Sequence, residues 1–210
     1  MTRSVAAIVL AAGEGKRFGR PKALAVEAGK TFLQIAVERL LEAGFDRIAV
    51  VLGAESEQLR NDGALASIAR DCEARGVRLT FGDNYDWRAG RTGSIALGLG
   101  LLPADPGGAL IHQVDFPQVT VSTFRSLARE FELTPHAEDR IFLPVHEARR
   151  GHPIVLGRSL WAAVMAMGKD EPLRNLIGRD ASRVTEVRVD DPGILRNVNT
   201  PGEAAAEGTQ

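Results

Sequence analysis

Short runs of β-branched and aliphatic residues alternate along the chain with stretches whose apolar positions recur every three or four residues. The runs at 5–10, 47–52, 78–81, 109–114, 140–145 and 184–189 predict six strands. Between the first two, Phe32, Ile35, Ala36, Leu40 and Ala43 fall on one helical face. Thr31 and Gln34 have the spacing of a capping box, and Gly44 stands where a helix ends. Further helical patterns cover 55–75, with a break near Gly63, then 93–101 and 122–131. This alternation predicts an α/β architecture: a doubly wound, mostly parallel sheet with helices on both faces. The second half is less regular. Arg149-Arg150-Gly151-His152-Pro153 precedes a short apolar run at 154–156, and helical stretches follow at 159–167 and 171–177. We read this part as a small insertion over a second substrate within one domain, 1–203, ahead of a frayed tail, 204–210.

Composition narrows the class. A chain of 210 residues with 44% hydrophobic side chains can bury one sizeable core. Its formal net charge of −1 gives no global field for nucleic acid or an anionic membrane. Cys72 is the single cysteine, which excludes an internal disulfide and a cysteine metal cluster; with Leu65 and Ile68 it reads as a buried structural thiol. No apolar run approaches the length of about eighteen residues that a membrane helix needs. The first apolar run leads straight into a glycine-rich loop without a small-residue cleavage pattern, so it reads as a strand and the protein as a cytoplasmic enzyme.

That loop carries the strongest chemical signal. In VLAAGEGKRFGRPKAL, residues 9–24, Gly13, Gly15 and Gly19 punctuate the turn while Lys16, Arg17, Arg20 and Lys22 place four cations within seven residues. Little side-chain bulk lets backbone N–H groups approach phosphate oxygens, and the cations neutralise the phosphate charge. The dinucleotide fingerprint does not fit, because the glycines fall as Gly-x-Gly-x-x-x-Gly and Pro21 delays helix entry. A Walker loop does not fit either, since no hydroxyl follows Gly15-Lys16. A surface loop that is basic by chance is the alternative.

Four more segments invite chemistry. Asp115 ends the fourth predicted strand; such a carboxylate can hold Mg²⁺ against nucleotide phosphates, or it can start the turn before Pro117. In the segment 84–95, Gly90 and Gly93 permit close backbone approach and Ser94 offers a donor, while Trp87 reads as a contact or as core. Asn197-Val198-Asn199-Thr200-Pro201 reads as a metal-ligating tail or as a turn before a helix. His152 has no serine or cysteine partner at any nucleophile spacing, so it reads as positioning a substrate or as structural. Arg149, Arg150 and Arg174 suit an acceptor phosphate or plain solvation.

The loop LAAGEGKRFGRPKAL resembles the signature of the nucleotidyltransferases that build activated sugars and cofactors. With its two alanines before the glycine it is similar to molybdenum cofactor cytidylyltransferases, which are related to the guanylyltransferases. Asn84…Trp87…Gly90…Ser94, the Asp-x-Pro at 115–117, Gly151-His152-Pro153 and the closing Asn-x-Asn-Thr-Pro resemble further elements of the family, in the expected order. Phe116 and Val114 depart from the usual Gln and Gly, Arg91 and Thr92 from Met and Ser, and Asn197 and Asn199 from paired Asp. The resemblance implies a Rossmann-like, GT-A-like fold and transfer of a nucleoside monophosphate, CTP favoured, to a phosphorylated acceptor such as molybdopterin. It implies Mg²⁺, with Mn²⁺ as the alternative, on Asp115 and Asn199, and catalysis by Lys22, Arg17 and Asp115. Nucleotide binding falls to Leu10, Ala11, Ala12, Gly13, Glu14, Gly15, Lys16, Arg17, Lys22, Asn84, Gly90 and Ser94, and the acceptor side to His152, Arg150 and Arg174. A molybdoenzyme or its chaperone is the implied protein partner. A sugar-1-phosphate transferase using UTP, GTP or CTP, and a nucleotide-binding regulatory module without turnover, stay open beside it.

Overall fold

The computed structural model describes residues 4–15, 21–54 and 56–199. Its centre is strand β1 (Val5–Ala11), buried at all seven positions. Val5, Ala7, Val9 and Ala11 enter one core, whereas Ala6, Ile8 and Leu10 enter a second on the opposite face. Burial on both faces is why this segment reads as an unbroken apolar run without alternation. The chain continues through a small hairpin, β2 (Val26–Glu27) and β3 (Lys30–Thr31), which the hydrophobic pattern does not announce. Two-residue strands are too short to carry a period, and Ala28 and Gly29 make the turn with φ of 49° and 80°.

Helix α1 (Phe32–Ala43) has the expected box. The Gln34 amide donates to Thr31 Oγ1 at 3.2 Å and the Thr31 amide to Gln34 Oε1 at 2.9 Å, and Gly44 closes the helix at φ 96°. The next elements are β4 (Arg47–Leu52), α2 (Ser56–Asn61), α3 (Ala64–Ala74) and β5 (Arg78–Asp83). Gly63, at φ 85°, makes the predicted break between α2 and α3. Cys72 lies buried in α3, and that burial raises its thiol pKa. Then come α4 (Arg91–Leu101), β6 (Gly108–Gln113), α5 (Val121–Leu133) and β7 (Ile141–His146). The less regular part supplies β8 (Arg149–Arg150), β9 (Ile154–Gly157), α6 (Trp161–Met165), α7 (Leu173–Arg179) and β10 (Val184–Arg188).

The main sheet runs β10-β7-β9-β6-β1-β4-β5, with β8 paired to β7. All these pairs are parallel except those made by β9 and β8. Helices α1, α3 and α5 cover one face through Phe32, Leu40, Ile68, Phe124 and Phe131. Helices α4 and α6 cover the other through Ile95, Leu99, Trp161 and Val164. One sheet serves both cores, so the described residues form a single domain with a mostly parallel central sheet. No helix among them is long and apolar enough to cross a membrane. The strand order reverses between β1 and β6, which leaves a crevice at their carboxyl ends. The site lies there.

Candidate active site

Beyond β1 the chain passes through Ala12, Gly13 and Gly15. The backbone is held close to the turn after β4: the Ala54 amide donates to the Ala12 carbonyl at 3.2 Å. A Cβ on Gly53 would sit 2.7 Å from that carbonyl, so only glycine allows this approach. Lys16, Arg17, Gly19 and Arg20 lie outside the described residues. Pro21, at φ −53°, leads into a single 3₁₀ turn over Lys22–Leu24. From it Lys22 Nζ donates to Asn199 Oδ1 at 2.7 Å and reaches Asp115 Oδ2 at 3.4 Å. The Lys22 and Asp115 side chains are 17% and 15% exposed, so this contact is partly shielded from water.

Two devices bring the tail to Asp115. The Val198 amide donates to the Asp115 carbonyl at 2.7 Å. Further back, buried Asp191 accepts from the Thr120 amide and hydroxyl, the Thr123 hydroxyl and the Gly193 amide, between 2.6 and 2.9 Å. The loop after β6 and the tail are thereby tied together, and Arg39 donates to the Pro117 and Val119 carbonyls from α1. A carboxylate oxygen and an amide oxygen both face one ammonium. That donor set suits a hard cation such as Mg²⁺ or Mn²⁺, with the ammonium marking where positive charge is accepted.

A cavity of about 240 Å³ opens above these groups, lined among others by Leu10, Ala12, Gly13, Gly15, Lys22, Trp87, Ser94 and Asp115. Of the other expected nucleotide contacts, Ala11 is packed in the core and Glu14 pairs with Arg88 at 3.8 Å. Asn84 works behind the wall: its amide donates to Ser94 Oγ at 2.8 Å while its oxygen accepts from the Asp86 amide. Gly90 has φ 143°, and a Cβ there would sit 2.2 Å from the Lys169 carbonyl. Its missing side chain admits the backbone of 169–170. The Thr92 hydroxyl donates to the Glu171 carbonyl at 2.5 Å and Lys169 pairs with Asp86 at 2.6 Å, so this strap is pinned across the start of α4.

A larger cavity of about 620 Å³ lies under the strap and α7, lined by aliphatic side chains together with His152, Arg150 and Arg174. Arg150 also pairs with Glu186 at 2.7 Å. His152 sits 3.3 Å from the Gln113 carboxamide and packs its ring on Phe116 at 4.9 Å. Burial and then the nearby Arg91 charge lower the pKa of its imidazole, and Asp115 opposes them only in part. The two cavities share Leu10, Arg91 and Gln113. The hydrophobic pattern passes over Gln113 as part of a strand and leaves Arg91 two residues ahead of the helix it predicts at 93–101, whereas α4 begins at Arg91 itself. Their signal is polarity in an otherwise apolar strand and a cation at a helix N-terminus.

The family model of the MobA-like NTP transferase domain matches residues 7–184. Nicotine blue oxidoreductase of Paenarthrobacter nicotinovorans is 31% identical over 168 residues, which are 76% of this chain and 74% of that protein. Among solved structures, Rv0371c of Mycobacterium tuberculosis H37Rv is similar with a TM-score of 0.78 and 22% identity, covering 98% of this chain and 97% of its own. Its complex with manganese gives 0.69 at 22% identity over 90% and 89%. At such identities the structural likeness speaks for the fold, while the family match spans most of the sequence. The chain belongs to the MobA-like NTP transferase domain family.

Proposed function

We propose that the protein transfers a nucleoside monophosphate from an NTP to a phosphorylated small-molecule acceptor and releases pyrophosphate. The observation that carries this reading is the convergence of Lys22, Asp115 and Asn199, from three distant stretches of chain, beside a glycine-rich loop. An acceptor phosphate oxygen attacks the α-phosphorus in line. The new P–O bond forms as the bond to the bridging oxygen breaks, and the electron pair leaves with pyrophosphate. The acceptor phosphate is already ionised, so the protein need only position and neutralise. Lys22 and the amides of 12–15 answer the phosphate charge, with Arg17 as a further cation. Asp115 and Asn199 would hold the divalent ion, Mg²⁺ or Mn²⁺, which supplies charge neutralisation at the phosphates when bound. Neutral His152, fixed by Gln113, offers the acceptor a hydrogen bond, with Arg150 and Arg174 beside it.

CTP and molybdopterin are the specific substrates favoured by the Ala-Ala-Gly loop and by Gly151-His152-Pro153, with a molybdoenzyme or its chaperone as recipient of the product. The 31% identity to a nicotine blue oxidoreductase favours one second reading, that this scaffold performs redox chemistry. A pyrophosphate-release assay across four NTPs, with molybdopterin or sugar-1-phosphates, separates them when run beside an assay of reduced nicotinamide consumption. Acceptor-dependent pyrophosphate release supports the transferase reading. Nicotinamide oxidation without it supports the other.

A further inference from the structure

Arg91 breaks two local rules at once. It is the first residue of α4, at the helix end whose dipole disfavours cations, and that first turn holds no acidic residue. Among the described residues its guanidinium makes no hydrogen bond or ion pair. Asp170 and Glu171 line the same large cavity, but Glu171 is taken by Arg179 at 2.8 Å. Asp115, on the other side, already faces Lys22. Nor does His152 offer a counter-charge, because an imidazole is neutral or cationic. An exposed cation on the positive end of a helix, lining two cavities at once and ion-paired with none of those carboxylates, is placed to take up a further anion.

We propose that Arg91 is a further catalytic residue, a cation shared by donor and acceptor, engaging the α-phosphate from the small cavity and the acceptor's anionic group from the large one. This assignment rests on the nucleotide-transfer reading above. Two phosphates must approach each other for transfer, and their mutual repulsion opposes the step. A planar guanidinium with five donors in a fixed fork holds two oxyanions at once in a set geometry, where a lysine ammonium is a single point charge and an apolar side chain offers no donor. Its place at the shared wall of both cavities is the one position from which a side chain of α4 reaches both.

Calorimetric titrations with Mg²⁺ test this in the parent, Arg91→Met, Arg91→Lys and Lys22→Ala, using α,β-methylene-CTP, inorganic pyrophosphate, and inorganic phosphate added to the analogue-bound protein. Arg91→Met is expected to weaken phosphate uptake roughly tenfold, the equivalent of one charged hydrogen bond, with Arg91→Lys in between. Pyrophosphate affinity stays within about twofold of the parent, since Lys22 and the loop hold that end, and Lys22→Ala gives the opposite pattern. Equal phosphate and analogue affinities in Arg91→Met and parent overturn the Arg91 assignment alone. A parent that binds neither the analogue nor pyrophosphate overturns it together with the nucleotide reading.

Discussion

Asn199 makes the residue-scale chemistry concrete. Its amide oxygen takes a hydrogen bond from Lys22 at 2.7 Å, where a carboxylate would bring a full negative charge. Ligand charge sets affinity for hard cations, so Asn199→Asp should tighten Mg²⁺ while preserving turnover, and Asn199→Ala should raise the Mg²⁺ requirement several-fold. A Mg²⁺ titration of pyrophosphate release reads both; superimposable curves for the two variants and the parent would remove Asn199 from the proposed metal ligands. His112 gives a second handle. Burial drops its imidazole pKa to about 3 from an ordinary 6.5, and its Nδ1 finds no partner among the described residues. Between those two values the unfolded chain binds a proton that the native protein lacks, so stability rises with pH across that window and is lost as pH falls through it. His112→Leu removes both the proton difference and the orphaned nitrogen. Urea midpoints measured from neutral to acid pH should therefore fall less steeply in the variant, and equal slopes would contradict this.

At the scale of elements, the start of α4 depends on its strap. Gly90→Ala would force a Cβ to 2.2 Å from the Lys169 carbonyl at a φ of 143°, where alanine is strained as well. The strap must lift, and the larger cavity loses its cover. The expected result is a rise in the acceptor's KM well above that in the KM for NTP, with a lowered melting temperature. Equal changes in the two constants would mean that the strap does not shape the acceptor side. The same helix packs on β1 through Gly98, whose added Cβ would meet Ile8 at 2.5 Å. Elements with strong local codes were legible beforehand: the Thr31–Gln34 box, the Gly63 break and the unbroken run of β1 all follow from neighbouring residues. The direction of β9 was not, because a run of three apolar residues fits either orientation. The task of Gly90 was hidden too, since the strap it admits lies about 79 residues further along the chain. Periodicity reports which face is buried; it does not report what arrives from afar to bury it.

For the molecule as a whole, the sheet order sets where the candidate chemistry gathers. The reversal between β1 and β6 opens a crevice; the glycine loop and Asp115 leave the sheet there, and the start of α4 lines it. The tail closes it, with Asn199 reaching Lys22 across 177 residues of sequence. Asp115 and Lys22 each stand out as candidates within their own segments, whereas their meeting is a property of topology. Turnover by Lys22→Ala tests this account most directly, with Mg²⁺, CTP and acceptor saturating and the melting temperature measured in parallel. A lysine that answers the charge growing on the leaving pyrophosphate acts in the transition state as well as in binding, so at saturation kcat should fall by on the order of a hundredfold or more while the melting temperature stays within a few degrees. Near-parental turnover in that variant would contradict the account.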